Sequence, residues 1–418
     1  MARVLLLVPA STYRVADFLL AARTLGVDVV IGGDGAAEMP DLMGGRALSL
    51  ALDDPEAAAG AIVAADGAVP LDAVVAVDDR GAVAAALASQ RLGLRHNPPD
   101  AVAATRDKLV MRGRLDGGEV PQPAYVPLGA DAGPAAVADA VARVGLPCVI
   151  KPTTLSGSQG VLRADTVEEA VAVVERVRAI ATCATDDSRP TLLLERFVAG
   201  PEVAVEGLLT DGELTVLALF DKPDPLDGPA FEETIYVTPS RLGPTDVDAV
   251  VTTTAAACRA LGLTQGPVHA EIRVHDGRAR VIEVAARTIG GLCARTLTFS
   301  TGRTLEQLVL AQALGRPLRT TRGRDPASGV LMLRIPRAGI LAEVAGRHLA
   351  LDVPGVTDVQ ITIAPGRPVV PVPDGDRYLG FVFARGRTPA EVEASLRGAE
   401  AVLDVRIVAD PEVLRPRV

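Results

Sequence analysis

The chain has 418 residues, of which 49% are hydrophobic and 22% are charged, and its formal net charge is −10. A chain of this length is expected to fold into roughly two to four packed domains. No apolar run approaches the length of about eighteen residues that a membrane-spanning helix requires, and the acidic charge balance argues against nucleic acid as a partner.

The first hundred residues alternate between short apolar runs and amphipathic stretches. Strands are predicted over 4–8, 27–31 and 73–77, and helices over 13–25 and 81–92. Repeated strand–helix units favour a parallel α/β sheet. The opening apolar run is followed by no cleavage site of the small-residue type, so we interpret it as a buried strand and expect a cytoplasmic protein.

Two short segments limit how this sheet is interpreted. Pro9-Ala10-Ser11-Thr12 follows the first strand in place of a glycine-rich dinucleotide motif, so a Rossmann-type cofactor site loses its main support. His96-Asn97-Pro98-Pro99 interrupts the strand–helix pattern and predicts a domain boundary.

The next hundred residues predict a small α+β lid. A helix is expected to begin near Thr105, with Lys108 and Arg112 four positions apart on one face, and a proline-rich extended stretch follows it. The lid elements are a helix over 135–144, a strand over 148–151, a loop over 153–160, a helix over 167–179 and a strand over 191–195. They span about sixty residues, which is the size of a compact subdomain.

The remainder of the chain is predicted to be richer in antiparallel strands. Residues 200–300 carry turn signals at Asp211-Gly212 and Asp276-Gly277. A helix over 304–314 follows, and the residues from about 327 onwards are expected to form a separate α+β domain. Its predicted elements are strands over 330–335, 379–384 and 405–408, and a helix opened by the capping box Thr388-Pro389-Ala390-Glu391.

Cysteine and histidine usage argues against several chemistries. The four cysteines lie far apart and form no C-x-x-C pair, and neither G-x-S-x-G nor H-E-x-x-H occurs. Four histidines in all leave little basis for a histidine-based mechanism. The sequence therefore offers no anchor for hydrolase, zinc or redox chemistry.

Lysine is scarce, and the loop after the second lysine is rich in small residues. Only three of the 42 basic residues are lysines, namely Lys108, Lys151 and Lys222. A lysine kept against such a bias toward arginine indicates a site that needs a compact ammonium group. The loop Ser156-Gly157-Ser158-Gln159-Gly160 leaves backbone N–H groups open to a phosphate, although loops of this kind also serve as flexible turns.

A predicted hairpin late in the chain brings two carboxylates together. If Asp276-Gly277-Arg278 is a three-residue loop, Ile272 lies opposite Ile282 in the apolar face. In that register Glu271 lies opposite Glu283 on the other face. A two-residue Asp-Gly turn would mix the faces, so the apolar pattern favours the first register.

Facing glutamates at this position permit two interpretations. Two carboxylates directly across a strand pair repel each other unless a cation lies between them. Oxygen ligands at this spacing suit a Mg²⁺ ion that bridges phosphates. The alternative is a solvated face on which Arg273 and Arg287 screen the glutamates.

Five motifs in chain order closely resemble the ATP-grasp superfamily. They are Thr105-Arg-Asp-Lys108, Val149-Ile-Lys151-Pro, the loop 156–160, Glu195 with Glu202, and Glu271 with Glu283-x-x-x-Arg287. Asp221-Lys222-Pro223 and Ile289-Gly290-Gly291-Leu292 are similar to the L-amino-acid ligase branch in particular.

The resemblance covers nearly the whole chain and implies an α/β and α+β multidomain protein with the ATP-grasp fold. The expected divisions are a parallel α/β pre-ATP-grasp domain over 1–97, an ATP-grasp domain over 98–325 with its lid at about 147–198, and a small C-terminal α+β domain over 326–418.

The resemblance also implies roles for individual residues around bound ATP. Lys108 and Lys151 would neutralise the phosphates, and the loop over them would close through Ser156, Gly157, Ser158 and Gly160. The adenine pocket would be lined by Glu195, Phe197 and Val198, and Glu202 would hold the ribose.

Further roles concern the metal and the substrates. Glu271 and Glu283 would ligate Mg²⁺ or Mn²⁺, and Arg287 would act in catalysis with Lys151 by stabilising the charge that develops in phosphoryl transfer. The residues expected near the substrates are His269, Lys222, Gly290 and Gly291. Ala285 departs from the family, which usually has a metal-binding asparagine there, and this puts the binding of two metals in question.

The implied activity is that of a carboxylate–amine ligase. A carboxylate would attack the γ-phosphate of ATP to give an acyl phosphate, and an amine would then displace phosphate to form an amide. The expected partners are small-molecule carboxylate and amine substrates, with a homodimer as the default assembly.

Two alternatives remain open. One is a carboxylating enzyme of the biotin-carboxylase or purine-pathway type, although the chain has no A-M-K-M biotin-attachment sequence. The other is an ATP-binding module without turnover, for which Ala285 is the supporting feature.

Overall fold

The computed structural model of the protein describes residues 1–10, 12, 14–34, 47–185, 187–297, 302–317 and 326–410. Within these ranges the strands form four sheets, of four, eight, three and four strands. No helix in the described part of the chain combines the length and the apolar character needed to cross a membrane.

The N-terminal sheet has the predicted alternation of strands and helices. Its elements are β1 (Arg3–Leu7), α1 (Val15–Leu25), β2 (Asp28–Gly33), β3 (Ala47–Ser49), α2 (Pro55–Asp66), β4 (Ala73–Ala76) and α3 (Asp79–Leu92). The strands are parallel and lie in the order β3-β2-β1-β4. Val4, Leu5, Leu6 and Leu7 are fully buried because both faces of β1 are covered, which explains the uninterrupted apolar run.

Two short helices replace the single helix predicted to begin near Thr105. They are α4 (Pro99–Arg106) and α5 (Lys108–Gly117). The chain turns extended at Asp107, whose side chain accepts hydrogen bonds from the backbone N–H groups of Leu109 and Val110. Thr105 therefore belongs to α4, and Lys108 is the first residue of α5, where its N–H donates to the carbonyl of Thr153 at 2.8 Å.

The lid is a four-stranded antiparallel sheet covered by helices on one face. Its elements are β5 (Tyr125–Leu128), α6 (Pro134–Val144), β6 (Cys148–Pro152), β7 (Leu162–Ala164), α7 (Val167–Thr185) and β8 (Leu192–Arg196). Side chains alternate along β6 and β8, so Ile150 and Leu194 pack under the helices. The intervening positions Lys151 and Glu195 lie on the other face and line the cavity described below.

The central sheet has eight strands, and a separate sheet of three strands packs beside it. The remaining elements are β9 (Glu202–Thr210), β10 (Glu213–Asp221), β11 (Ile235–Thr238), α8 (Pro244–Leu261), β12 (Gly266–His275), β13 (Arg278–Ala285), a 3-10 helix (Cys293–Thr296), α9 (Leu305–Ala313), β14 (Ala327–Leu333), β15 (Gly339–Ala345), α10 (Arg347–Leu351), β16 (Val356–Ile361), β17 (Pro368–Val369), β18 (Gly380–Gly386), α11 (Pro389–Val402) and β19 (Asp404–Val408). The strand orders are β13-β12-β9-β10-β11-β14-β18-β16 and β17-β15-β19.

Helix α8 was not predicted within residues 200–300, which otherwise contain the expected antiparallel strands. Its buried positions Val250, Thr254, Cys258 and Leu261 follow a helical spacing and pack on the central sheet. Gly262 then ends the helix with a left-handed φ of 82°. The run of β-branched residues inside the helix hid this pattern, because such residues favour strands.

The C-terminal segment is only partly separate. β14 pairs with β11, and β18 and β16 continue outward from it, so three of its strands extend the central sheet. β15, β17 and β19 form the small sheet, and α11 packs against β14 and β18.

The hairpin of β12 and β13 combines features of both registers considered for it. The turn has two residues, Asp276 and Gly277, both with positive φ, so the predicted three-residue loop is wrong. Glu271 nevertheless lies opposite Glu283, as predicted, because a β-bulge at Ile282 restores the register. The bulge moves Ile282 out of the apolar face and into the cavity wall.

Candidate active site

A cavity of about 390 Å³ lies where the N-terminal sheet, the lid, the central sheet and the C-terminal segment meet. Fifteen of the residues predicted for the site line it together. They are Lys108, Lys151, Ser156, Gly157, Ser158, Glu195, Phe197, Val198, Glu202, His269, Glu271, Glu283, Arg287, Gly290 and Gly291. Residues far apart in sequence thus converge on one space, although their individual roles stay predictions.

Gly160 and Lys222 do not line the cavity. Gly160 anchors the lid loop, since its N–H donates to the carbonyl of Pro373 at 2.9 Å. The Lys222 ammonium lies behind the cavity wall with only 3% of the side chain exposed, and a contact of this residue with a substrate stays a prediction.

The two cavity lysines are held in different ways. The Lys108 ammonium donates to the carbonyl of Leu155 at 2.6 Å and lies 3.3 Å from Glu283 Oε1. The Lys151 ammonium lies 2.6 Å from Glu195 Oε2. Burial lowers the pKa of Lys151, and the Glu195 carboxylate opposes that shift. Both ammonium groups are therefore fixed before any ligand arrives.

Glu195 is bound between two cations. Its other oxygen accepts a hydrogen bond from Arg112 Nε at 2.6 Å, and Arg112 also donates to the carbonyls of Val281 and Ile282. Although burial opposes it, the charges of Arg112 and Lys151 hold the pKa of Glu195 below its usual value. The Glu195 carboxylate positions Lys151, so a contribution of this residue to an adenine pocket would come from its backbone.

Two guanidinium groups lie close to the ring of Phe197. The guanidinium carbons of Arg163 and Arg273 are 4.5 Å and 5.0 Å from the centre of the ring, and the ring of Phe231 is 6.4 Å away. The ring of Phe197 lines the cavity, and an aromatic side chain at this position is a suitable wall for a purine.

A buried charge cluster lies beneath the cavity beside Glu202. Lys222 is 2.6 Å from Glu202 Oε1, 2.5 Å from Glu233 Oε1 and 3.4 Å from Glu271 Oε1. Arg273 Nε donates to Glu202 Oε2 at 2.8 Å. Carboxylate oxygens of the three glutamates lie within 4.8 Å of one another, an arrangement compatible with a metal ion, but the Lys222 ammonium already lies among them.

Glu271 and Glu283 are suited to a divalent cation. They lie directly opposite each other in the register of β12 and β13, with 22% and 28% of their side chains exposed to the cavity. Burial would raise the pKa of Glu271, but Lys222 and His269 lower it, so this carboxylate stays ionised. Carboxylate oxygens of this kind fit Mg²⁺ or Mn²⁺. Ala285 lines the same cavity and offers no oxygen.

His269 takes part in a buried ion pair. Its Nδ1 lies 3.2 Å from Glu206 Oε2, and its Nε2 lies 3.7 Å from Glu271 Oε1. Burial alone would lower the pKa of His269, but hydrogen bonds with Glu206 and Glu271 outweigh it and raise the pKa to about 9.

Arg287 is anchored by the N-terminal sheet, a contact that the sequence analysis missed. Its Nε donates to Asp79 Oδ2 at 2.9 Å, and Asp79 is the first residue of α3. Arg14 and Asp78, which precede α1 and α3, also line the cavity. The available signal was their position in segments that connect buried parallel strands to the next helix, because ligand sites form at that edge of such sheets.

The C-terminal segment contributes a further wall and holds the lid loop. Asp376, Arg377 and Tyr378 line the cavity. The side chain of Gln159, in the lid loop, donates to the carbonyl of Asp374 at 3.0 Å. The C-terminal residues of this wall, at 374–378, had not been singled out from the sequence, because they lie in an irregular stretch without a motif.

Comparison with known families identifies three domains in successive parts of the chain. Residues 19–96 match the ATP-grasp N-terminal domain, residues 144–296 match the ATP-grasp domain, and residues 331–408 match L-amino acid ligase C-terminal domain 2. Each match falls inside one of the predicted divisions, whose exact boundaries stay a prediction.

Similar proteins point in the same direction. The uncharacterized protein y4rH of Sinorhizobium fredii is 26% identical over 307 residues, which are 73% of this chain and 62% of that protein. Alanine–anticapsin ligase of Bacillus subtilis is 28% identical over 249 residues, which are 55% of this chain and 51% of that ligase. The chain thus matches less than two thirds of the length of these curated relatives.

A solved structure extends the likeness to the whole fold. The crystal structure of L-amino acid ligase from Bacillus licheniformis has a TM-score of 0.81 and 25% identity, and the match covers 98% of this chain and 99% of that one. The resemblance inferred from the five motifs is confirmed. This chain is therefore a member of the ATP-grasp superfamily, in the branch that resembles the L-amino-acid ligases.

Proposed function

We propose that the protein is an ATP-dependent carboxylate–amine ligase that forms an amide through an acyl phosphate and releases ADP and phosphate. The observation that carries the proposal is the convergence of two buried lysines and two facing glutamates on one cavity, namely Lys108, Lys151, Glu271 and Glu283. Phosphoryl transfer depends on placed cations more than on a covalent nucleophile. The likeness to alanine–anticapsin ligase and to an L-amino acid ligase supports amino acids as substrates.

The lysines would bind the phosphates of ATP. Lys108 approaches from α5 and Lys151 from β6, so two point charges reach the cavity from different elements. Lys151 depends on Glu195 and Arg112 for its position. Lys108 donates to the carbonyl of Leu155, which directly precedes the lid loop. The backbone N–H groups of the loop would therefore lie close to the same phosphates.

The adenosine would lie along β8 and the residues that follow it. Phe197 offers an aromatic face to the base, and Val198 lines the cavity beside it. Glu202 would accept from the ribose hydroxyls. Both Glu202 oxygens already accept bonds from Lys222 and Arg273, so the ribose would use their remaining lone pairs.

Glu271 and Glu283 would hold Mg²⁺ or Mn²⁺, and the ion would neutralise the charge of the β- and γ-phosphates. Glu283 lies next to Lys108, so the protein's own ammonium group would reach the same phosphates. Because Ala285 supplies no oxygen, we propose that fewer protein ligands serve the metal here than in relatives with an asparagine at this position.

The first chemical step forms the acyl phosphate. An oxygen of the carboxylate substrate attacks the γ-phosphorus, and the bond to the bridging oxygen breaks so that ADP leaves. Arg287 would stabilise the negative charge on the transferred phosphoryl group. In the second step the amine nitrogen attacks the acyl carbon, phosphate leaves with the carbon–oxygen bonding pair, and the amine loses its proton.

The lid loop would keep water from the acyl phosphate. Gly160 and Gln159 bind the carbonyls of Pro373 and Asp374, so the loop is held across the cavity by the C-terminal segment. Exclusion of water protects a reactive intermediate from hydrolysis.

The test is ADP release by the purified protein with Mg·ATP and amino acids, singly and in pairs, with mass spectrometry of the products. Hydroxylamine, added with each single acid, would trap an acyl phosphate as a hydroxamate. We expect one pair to give ADP and an amide, Glu283→Ala to abolish both, and the exposed lid variant Glu168→Ala to leave both unchanged. ADP release with bicarbonate but with no amino acid would instead support a carboxylating enzyme.

A further inference from the structure

We infer that Asp79 is a positioning residue for Arg287, which it fixes so that one terminal nitrogen of the guanidinium remains free for the reacting phosphoryl group. The inference rests on the proposed function, in which Arg287 stabilises the charge of that group. It makes the N-terminal sheet a part of the phosphoryl-transfer site.

The contacts of Arg287 assign its nitrogens one by one. Nε donates to Asp79 Oδ2 at 2.9 Å, and Nη1 donates to the carbonyl of Thr288 at 2.9 Å. Among the residues that the structure describes, Nη2 of Arg287 has no hydrogen-bond partner. A guanidinium with two of its three nitrogens committed presents the third in a fixed direction.

Asp79 is itself held in place. It follows β4 as the first residue of α3, and the preceding Asp78 caps that helix by accepting from the N–H of Arg80. Its Oδ1 lies 3.4 Å from Arg106 Nη1. Burial opposes ionisation, but the charges of Arg287 and Arg106 lower the pKa of Asp79, so the anchor is a carboxylate at neutral pH.

The residues that follow Arg287 are fixed from two sides as well. Thr288 Oγ1 accepts a hydrogen bond from Arg14 Nη2 at 2.5 Å, and Arg14 Nη1 donates to the carbonyl of Val77. The N–H of Ile289 donates to the buried carboxylate of Glu206 at 3.0 Å. The backbone at 287–289 is therefore already located, and Asp79 acts on what remains free, the direction of the Arg287 side chain.

A second ion pair across the same interface provides a matched control. Arg295 Nε lies 2.8 Å from Asp17 Oδ2, which joins the 3-10 helix to α1. The two pairs have similar exposure, 27% and 22% for Arg295 and Asp17 against 16% and 18% for Arg287 and Asp79. Arg295 and Asp17 do not line the cavity. An effect of interface stability alone would thus appear in both pairs.

The experiment compares Asp79→Asn with Asp17→Asn, using the amino-acid pair that the wild-type protein accepts. We expect Asp79→Asn to lower kcat by about 10- to 100-fold, the size of effect that follows when a substitution misplaces a catalytic side chain. The KM for ATP should stay within about threefold of the wild-type value. Asp17→Asn should leave kcat unchanged. Asp79→Glu, which keeps the charge, should retain more activity than Asp79→Asn.

A double variant separates positioning from stability. If Asp79 acts through Arg287, adding Asp79→Asn to Arg287→Gln should cause no further loss of kcat. Equal losses of kcat in both backgrounds, or equal effects of Asp79→Asn and Asp17→Asn, would overturn the inference. The same holds if Asp79→Asn raises the KM for ATP without changing kcat.

A labelling measurement tests the anchor independently of turnover. Phenylglyoxal modifies accessible guanidinium groups, and mass spectrometry of the peptide that contains Arg287 reports its rate. We expect Arg287 to be modified several-fold faster in Asp79→Asn than in wild type or Asp17→Asn. If the wild type has no activity with any substrate, the proposed function fails, while this rate still decides whether Asp79 immobilises Arg287. An unchanged rate would contradict the inference.

Discussion

Replacing Glu195 by glutamine should destabilise the lid and weaken ATP binding together. The variant keeps the shape of the side chain but leaves Arg112 and Lys151, both almost fully buried, without their shared counter-ion. Removing one partner of a buried ion pair costs about 3–5 kcal/mol. At roughly 2 °C per kcal/mol for a large domain, the unfolding midpoint should fall by about 6–10 °C.

The same substitution acts on ATP through Lys151. Burial already lowers the pKa of Lys151, and Glu195 is the charge that opposes this shift, so the lysine should lose its proton more readily in the variant. The loss of one charged contact with phosphate is worth about 1.5–3 kcal/mol, or about 10- to 100-fold in Kd.

Differential scanning fluorimetry with and without Mg·ATP measures both effects. The control is Glu175→Gln, which removes an exposed carboxylate that pairs with Arg178 on α7 of the same lid. That change should shift the midpoint by less than about 2 °C, since exposed pairs contribute at most about 1 kcal/mol. If Glu195→Gln melts like the control and binds ATP as the wild type does, this account of Lys151 is refuted.

Three further predictions concern other parts of the molecule. Burial raises the pKa of Glu232 to about 7 from its ordinary value of 4.5, so ionisation of this side chain destabilises the folded state as the pH rises through that range. Glu232→Gln should therefore raise the melting temperature at pH 8 and leave it unchanged at pH 4. Equal effects at both pH values would contradict this prediction. Gly291 has a φ of 62° and a Cβ there would lie 2.8 Å from the ring of Phe381, so Gly291→Ala should lower the melting temperature by several degrees, whereas Gly290→Ala, with open space around it, should not. Lys222→Met removes the cation from three buried or half-buried glutamates and should lower the melting temperature, which millimolar Mn²⁺ should partly restore. An equal melting temperature of the variant with and without Mn²⁺ would contradict this prediction.

The fold could be predicted where local pattern and tertiary packing agree. The run Val4–Leu7 had to be a buried strand, and Gly26 ends α1 with a left-handed φ of 62°. Prediction failed at the break between α4 and α5. There Asp107 caps α5, and the N–H of Lys108 donates to the carbonyl of Thr153. The second contact joins elements that are distant in sequence, so the local pattern could not indicate it. The bulge at Ile282 has the same character, since it reconciles a two-residue turn with a face that must stay apolar.

The candidate site divides in a similar way. Lys108, Lys151 and the pair of glutamates lie in motifs whose spacing can be read along the chain. Their supports cannot be read in that way, because Asp79 and Arg287 are 208 positions apart and meet only when the sheets pack. Lys222 is the opposite case, because the sequence drew attention to the residue itself. Its position behind the cavity wall could not be predicted, since it depends on the direction that the chain takes at the end of β10.

The single strand that joins the central sheet to the C-terminal segment has a consequence for how the protein can be divided. β11 shares one register pair with β10, Asp221 with Val237, but four with β14. Ile235 and Val237 pack with C-terminal side chains rather than with the core below β9. A chain cut before β14 would leave this apolar strand with an open edge, the kind of surface that drives aggregation. Expression of the nucleotide-binding part alone should therefore give insoluble protein, and exchange of C-terminal segments between relatives should succeed only when β11 moves with them.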